Sequence, residues 1–308
     1  MKAGFVGLGT MGRHMARNLM DFGNCEVVVV HDVRREAAEP HLAAGALWAD
    51  TPRQVAEQVD VVFTSLPGPV EVESVALGDD GLLAGMRPGA AWFDLSTNSP
   101  TLMRRLHMIF AEQGIDVMDS PVSGGPIGAD TRKLAIWLGG DEKVFDSHKE
   151  VLDAIGDQPA YIGPIGAGLV AKLVHNLSGY IVQTGLAEAF TMGVRAGVEP
   201  DALFKAIRQG SVGRRRTFDN IPPFFLSGEY DPPSFALRLA HKDVTLATSL
   251  GRELGVPMRL AQLTLEEMTE ALNRGWAEFD SRIAMTLQEE RAGVEVKVPE
   301  ERWQHLLD

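Results

Sequence analysis

One cysteine, Cys25, stands alone in 308 residues, so no intrachain disulfide can form. A reducing compartment, the cytoplasm, suits a chain long enough to fold without such staples. Basic side chains are scarce as well: 29 Lys and Arg face 42 Asp and Glu, leaving a net charge of −13. Nucleic-acid surfaces need a basic footprint, so no nucleic-acid partner is expected. Long hydrophobic runs are missing. Stretches such as residues 27–30 are far too short to span a bilayer, and no membrane partner is expected. The first residues run straight into glycines without the apolar stretch and cleavage site of a secretory leader, so none is expected. Clustered Cys, His and Asp ligands are absent too, and no metal is implied.

What remains is an ordinary globular composition, 45 % apolar and 23 % charged. The length suits roughly two domains of about 100–200 residues each. Strands are expected at residues 3–7, 26–31, 61–66, 90–94 and 115–120, with helices at 11–22, 34–44 and 100–113. Continuous Val, Ile and Phe runs suit strands buried on both faces. The β-α-β rhythm predicts a parallel sheet with helices on both sides. Two further strands at 134–138 and 160–162 flank a helix at 143–154. Then Gly163-Pro164-Ile165-Gly166-Ala167-Gly168 breaks the rhythm and marks a domain boundary. Everything beyond reads as helix: 169–196, apolar nearly all round and so expected to be buried, then 201–209, 235–254, 260–273 and 280–292. The expectation is an α/β domain over residues 1–163, doubly wound about a mainly parallel sheet, followed by an all-α domain over 164–308.

Gly7-Leu8-Gly9-Thr10-Met11-Gly12 follows the first expected strand and opens the first expected helix. Gly7 permits a tight turn, Gly9 lets a pyrophosphate approach the backbone, and Gly12 lets helix and strand pack closely. Backbone N–H groups at the helix start then face the anion. Asp32 ends the second strand, where a carboxylate hydrogen-bonds both ribose hydroxyls of NAD and repels a 2′-phosphate. NAD is therefore expected over NADP, although Arg34 or Arg35 could accept a phosphate. The competing explanation is a purely structural turn beside a solvated aspartate.

Asp94-Leu95-Ser96-Thr97 and Asp119-Ser120-Pro121-Val122-Ser123-Gly124-Gly125 each follow a strand. Ligands of open parallel sheets bind at the carboxyl ends of strands, so both loops should edge one crevice. Ser123, Gly124 and Gly125 offer a hydroxyl and backbone N–H groups that suit a carboxylate, or else form a plain glycine-rich turn. Beyond the boundary, Lys172, His175 and Asn176 are spaced to share one helix face. A lysine near a helix start, desolvated and close to an oxidised nicotinamide, can shed its proton near neutral pH and serve as a general base. Asn176 can hold a substrate hydroxyl and His175 relay a proton. A snorkelling lysine and a satisfied core histidine are the structural alternative. Arg214, Arg215 and Arg216 could pair with a second carboxylate or a phosphate, or form a solvated basic turn.

In order and spacing these motifs resemble the β-hydroxyacid dehydrogenase family, and the resemblance spans nearly the whole chain, Lys242-Asp243 included. That family comprises 3-hydroxyisobutyrate dehydrogenase, the tartronate and glyoxylate/succinic semialdehyde reductases and, more distantly, 6-phosphogluconate dehydrogenase. The resemblance implies a Rossmann-type first domain and a helical second domain packing as a homodimer or homotetramer. It implies that Gly7, Leu8, Gly9, Thr10, Met11 and Gly12 line the pyrophosphate and Asp32 the adenosine ribose. Leu66 and Pro67 would edge the cofactor cleft. Thr97 would lie by the nicotinamide ribose and the substrate. Ser123, Gly124 and Gly125 would bind the carboxylate of a small substrate. Lys172 would be catalytic, with Asn176 beside the reacting oxygen. Phe235 and Lys242 would close over the cofactor, with Asp243 holding that lid. The implied activity is oxidation of a small 3-hydroxy acid, or reduction of the matching semialdehyde. His175 departs from many small-substrate members and matches the 6-phosphogluconate dehydrogenase form, which keeps oxidation with decarboxylation open. A regulator that binds NAD without turnover is the other alternative.

Overall fold

The structure is a computed structural model that describes residues 1–195, 197–210, 221–253 and 258–304. Arg214, Arg215 and Arg216 lie outside the described residues. The chain divides into two compact units, Met1–Lys172 and Leu173–Asp308.

The first unit is built on nine strands: β1 Lys2–Val6, β2 Val27–His31, β3 Leu47–Trp48, β4 Val61–Thr64, β5 Ala91–Asp94, β6 Asp116–Asp119, β7 Val122–Ser123, β8 Ala135–Gly139 and β9 Gln158–Gly163. They form one sheet in the order β3-β2-β1-β4-β5-β6-β8-β7, with β9 paired to β8. The pairs from β3 to β6 are parallel, whereas β8 runs antiparallel to β6 and β7. The chain starts in the middle and reverses direction between β1 and β4, which leaves a crevice at the carboxyl ends of those strands.

Period-two alternation explains why the strands read as unbroken apolar runs. Phe5, Val30, Phe63, Phe93 and Met118 belong to the core on one face, and Val29, Val62, Trp92 and Val117 to the core on the other. Helices cover both. They are α1 Gly12–Phe22, α2 Glu39–Ala43, α3 Pro52–Ala56, α4 Pro69–Leu77, α5 Leu82–Gly85, α6 Pro100–Ala111, α7 Gly125–Asp130, α8 Glu142–Ser147 and α9 Lys149–Ile155. Met15 and Leu19 of α1 pack with Leu152 of α9 on the first face; Val55, Val72 and Phe110 fill the second.

The sequence suggests one helix at 34–44, but the structure shows a 3₁₀ turn, Arg35–Ala38, before α2. Pro40 has no N–H to continue the earlier turn and is tolerated only because it falls in the first turn of a new helix. The helix expected at 143–154 is likewise two. At the break, Ser147 Oγ donates to Val144 O at 3.0 Å and His148 Nδ1 lies 2.8 Å from the same oxygen, so side chains compete for a helical acceptor.

The second unit is helical. It carries most of α10 Ala167–Arg195, then α11 Pro200–Gln209, α12 Leu237–Glu253, α13 Arg259–Asn273, α14 Thr286–Ala292 and α15 Glu300–Trp303. One core gathers Phe190, Phe204, Phe225, Val296 and Val298; the other gathers Tyr180, Tyr230, Leu237, Val244 and Met268. The helix expected at 280–292 begins as a 3₁₀ turn, Ser281–Met285, capped by Asp280 through the Arg282 N–H. The long helix α10 is less covered than its composition suggests, since Val174 is 58 % and Val182 40 % exposed. Among the described residues no helix is long and apolar enough to cross a membrane.

Candidate active site

The turn after β1 is shaped by backbone crowding. Gly7 has φ +96°, and a Cβ there would lie 2.3 Å from Ser65 O. A Cβ on Gly12 would lie 1.9 Å from Gly7 O, so only glycine lets α1 start against the strand. Gly9 differs: a Cβ there would meet nothing within 4 Å, so the protein itself does not require glycine. The space beside Gly9 fits the close approach of a pyrophosphate. The start of α1 has no side-chain cap and no acidic residue in its first turn. Among the described residues no acceptor takes the N–H of Gly9, Thr10, Met11 or Gly12. Asp32 follows β2 and is 8 % exposed; its Oδ2 accepts the Leu8 N–H at 2.7 Å and its Oδ1 the Arg34 N–H at 2.9 Å. Each oxygen retains a lone pair for a ribose hydroxyl. Arg34 and Arg35 are mostly exposed, with Arg35 over the Trp48 ring at 5.1 Å. The residues present fit a nicotinamide dinucleotide.

Two buried aspartates occupy paired positions at the carboxyl ends of β5 and β6. Asp94 organises the neighbouring loops. Its Oδ1 accepts from Thr64 Oγ1 at 2.8 Å and from the Ser96 N–H at 3.2 Å, and its Oδ2 accepts from Asn98 Nδ2 at 3.1 Å. Ser96 Oγ in turn accepts the Leu66 N–H at 2.9 Å. Thr97 is thereby flanked by two anchored residues, and Leu66, which precedes Pro67, is tied to the same network. Burial raises the Asp94 carboxyl above its ordinary range against the pull of these hydrogen bonds. Ser123 ends β7, followed by Gly124 at φ +141° and Gly125 at φ +63°, a path that favours glycine.

Asp119 ends β6 and is fully buried. Its Oδ1 accepts the Gly166 N–H at 2.5 Å and its Oδ2 the Leu169 N–H at 2.7 Å, both at the start of α10. Burial, chiefly, lifts its carboxyl to about 6, while the accepted N–H bonds pull the other way. Lys172 lies one turn beyond Leu169 and is half-buried.

Further along α10, in the second unit, Asn176 Nδ2 donates to Asp243 Oδ2 at 2.6 Å. Asp243 is 3 % exposed, and Lys242 Nζ stands 3.0 Å from its other oxygen, an ion pair outside hydrogen-bonding geometry. His175 is exposed on the same helix. Phe235 donates its N–H to Asp280 Oδ2 at 3.1 Å and packs on the core around Tyr180. Within the first unit the structure brings the glycine loop to Asp32, and Asp94 to the Thr97 and Leu66 loops. Within the second it joins Asn176, Asp243 and Lys242. Sequence reading assigned no role to Asp94 or Asp119. The available signal was an aspartate closing each of two consecutive buried strands.

A doubly wound sheet with open backbone at Gly9 and a buried carboxylate after β2 defines a nicotinamide-dinucleotide-binding protein. Residues 2–163 match the family model described as the NAD binding domain of 6-phosphogluconate dehydrogenase. Residues 166–287 match the one described as NAD-binding of NADP-dependent 3-hydroxyisobutyrate dehydrogenase. The chain is 34 % identical to 2-(hydroxymethyl)glutarate dehydrogenase of Eubacterium barkeri, covering 96 % of this chain and 97 % of that protein. It is 33 % identical to the NAD-dependent L-serine dehydrogenase of Pseudomonas aeruginosa, covering 92 % and 96 %. Among solved structures, Mycobacterium tuberculosis 3-hydroxyisobutyrate dehydrogenase with L-serine is similar at TM-score 0.83 and 28 % identity, covering 93 % of this chain and 98 % of that one. Psf3 in complex with NADP+ is similar at TM-score 0.78 and 26 % identity, covering 92 % and 99 %. The chain belongs to the β-hydroxyacid dehydrogenase family, as an oxidoreductase of the 3-hydroxyisobutyrate dehydrogenase type.

Proposed function

We propose that the protein oxidises the hydroxyl of a small 3-hydroxy acid of the 3-hydroxyisobutyrate, L-serine or glycerate type with NAD, or reduces the matching semialdehyde, with Lys172 as the general acid–base. The observation that carries this reading is a lysine one turn past an anchored helix start, on the helix that also bears Asn176. Ser123 and the backbone of Gly124 and Gly125 hold the substrate carboxylate. Asn176, its amide fixed by Asp243, holds the reacting oxygen, while Thr97 lies by the nicotinamide ribose. When bound, the nicotinamide accepts the hydride. Neutral Lys172 takes the hydroxyl proton in oxidation, and its ammonium returns that proton in reduction. A positioned acid–base group contributes on the order of 10²–10⁴ in rate. Gly7 to Gly12 and Asp32 hold the dinucleotide, and Lys242, Asp243 and Phe235 close over it. The buried Asp32 carboxylate supports NAD over NADP, because a 2′-phosphate would meet its charge.

In Lys172→Ala turnover should fall by roughly 100-fold or more while NAD affinity stays near wild type. Turnover close to wild type would discard the assignment. A panel of 3-hydroxy acids run with both nicotinamides identifies substrate and cofactor. His175 favours a second reading, oxidation with decarboxylation, which release of carbon dioxide from a 6-phosphogluconate-like acid would establish. We also read residues 1–163 as the dinucleotide domain and 164–308 as the helical domain, in keeping with the family matches over 2–163 and 166–287. Exposed Val174 and Val182 support association as a homodimer or homotetramer, which sedimentation velocity tests.

A further inference from the structure

We propose that Asp119 is a positioning residue for Lys172: its buried carboxylate clamps the first turn of α10 to the end of β6 and so sets where the lysine stands. The inference rests on the reading of Lys172 as the acid–base group.

A helix start leaves its first N–H groups without intrahelical partners, and a Ser, Thr, Asp or Asn at the cap usually supplies one. Here a glycine, Gly166, precedes α10, and the acceptor comes from a strand 47 residues earlier. A local cap ties a helix to itself. This one ties it to the sheet, at two points, with one carboxylate oxygen on each N–H.

The surroundings are cut to leave room for that carboxylate. A Cβ at Gly139 would lie 2.4 Å from Asp119 Oδ1. A Cβ at Gly168 would lie 2.1 Å from Trp137 O, so only glycine lets the helix start this close to β8. Gly166 takes φ +92° to turn the chain into the clamp. Leu169, fully buried, locks the same turn from its side-chain end. Lys172 follows three residues later, about 4.5 Å along the axis. A shift at Leu169 carries the Lys172 backbone with it, and a misplacement of about 1 Å can cost on the order of 100-fold in rate.

The charge state distinguishes a clamp from plain packing. Asp94 on β5 opposes ionisation, and Arg104 on α6 reaches the same helix start, its Nε donating to Ile165 O at 3.3 Å. The facing strand β8 contributes no titratable side chain. Because the Asp119 carboxyl sits above the ordinary aspartate range, ionising it lowers stability as pH rises toward about 6. The clamp nevertheless needs the ionised form, which alone accepts freely at both oxygens. Activity should therefore rise over the interval in which this group's contribution to stability falls. A merely structural aspartate would move both together.

The test is Asp119→Asn beside Lys172→Ala, with the best hydroxy acid of the panel and NAD. Asparagine keeps one acceptor and turns an NH₂ toward the second amide. The clamp predicts NAD affinity and KM within about threefold of wild type, and kcat lower on the order of 10–100-fold. It also predicts faster hydrogen exchange at the Leu169 amide and loss from the kcat profile of the ionisation expected of Asp119 near pH 6, while the limb set by deprotonation of Lys172 remains. If Asp119→Asn does not fold, Gly168→Ala takes its place. It lifts the helix start while sparing the carboxylate, and should lose kcat and keep the ionisation expected of Asp119. The wild-type protein needs no variant: a Leu169 amide that exchanges as fast as an uncapped, frayed helix start overturns the clamp, and so does a folded variant with wild-type kcat. Turnover that survives Lys172→Ala overturns the reading of Lys172; turnover lost there but retained in Asp119→Asn overturns only the clamp.

Discussion

At the residue scale the glycines of the first loop divide by what each would touch. Gly12 is demanded by the backbone, because an added methyl would sit 1.9 Å from Gly7 O. Gly9 is demanded by nothing within 4 Å in the protein. Gly12→Ala should therefore destabilise the first unit by at least about 1–3 kcal/mol, visible as an earlier denaturant midpoint. Gly9→Ala should leave the midpoint unchanged or slightly raised, since alanine narrows the unfolded ensemble. Its NAD affinity, read by calorimetry, should nevertheless drop by roughly tenfold or more. If Gly9→Ala bound NAD as wild type does, the pyrophosphate would not pass beside this residue. The motif's spacing already gives each of the three glycines a part of its own. The neighbours of each supply the distances behind that division.

At the scale of elements, buried carboxylates join segments that are distant in the chain. Asp243 of α12 is held by Asn176 of α10, so Asn176→Ala would leave a buried charge with one partner fewer. Besides its effect on turnover it should lower stability by about 1–3 kcal/mol, measurable by urea titration. Glu289 of α14 plays a similar part near the chain's end, accepting the Val296 N–H at 2.5 Å and holding Val296 and Val298 in their core. Burial lifts its carboxyl from 4.5 to about 7. A raised folded value means that the folded state binds more protons than the unfolded state between those two values. Stability contributed by this group thus falls as pH rises from about 4.5 to 7 and stays low above. Glu289→Gln keeps the acceptor and removes the charge. Above pH 7 it should melt higher than wild type by an amount worth roughly 1–3 kcal/mol, and the difference should vanish below about pH 5. An equal gain at both pH values would mean that the charge is not the cause.

Element boundaries were less legible than element identity. Strands β1, β2, β4, β5 and β6 stand within a residue or two of where their apolar runs place them. Helices at 34–44, 143–154 and 280–292 each proved to be two pieces. The breaks come from Pro40, from Ser147 and His148 reaching a carbonyl, and from Thr286 Oγ1 donating to Ile283 O. Local competition of that kind is invisible to hydrophobic periodicity. Short elements such as β3 and β7 went unread for a related reason, since two residues carry no period at all.

For the whole molecule, ligand linkage gives the plainest check. A dinucleotide that binds only the folded protein should stabilise it by about 2.7 kcal/mol at a hundredfold excess over its Kd. NAD should raise the melting temperature, and NADP at the same concentration should raise it less, if Asp32 governs the choice. Equal shifts would remove Asp32 as the discriminator and turn attention to Arg34 and Arg35.

The chain's order of residues determined the fold class, the dinucleotide loop and the identity of the acid–base candidate. These depend on short-range facts: side-chain period, glycine spacing and one lysine at helical register with an asparagine. Tertiary structure alone decided which carboxylates act as anchors. Asp94 and Asp119 lie 25 positions apart in the chain yet pair across neighbouring strands. Asp119 accepts the N–H of Gly166, 47 residues later, and so caps the helix that follows. Strand pairing and burial create those juxtapositions, and with them the desolvation that shifts a carboxyl. Neither quantity exists until the sheet has closed around the side chain.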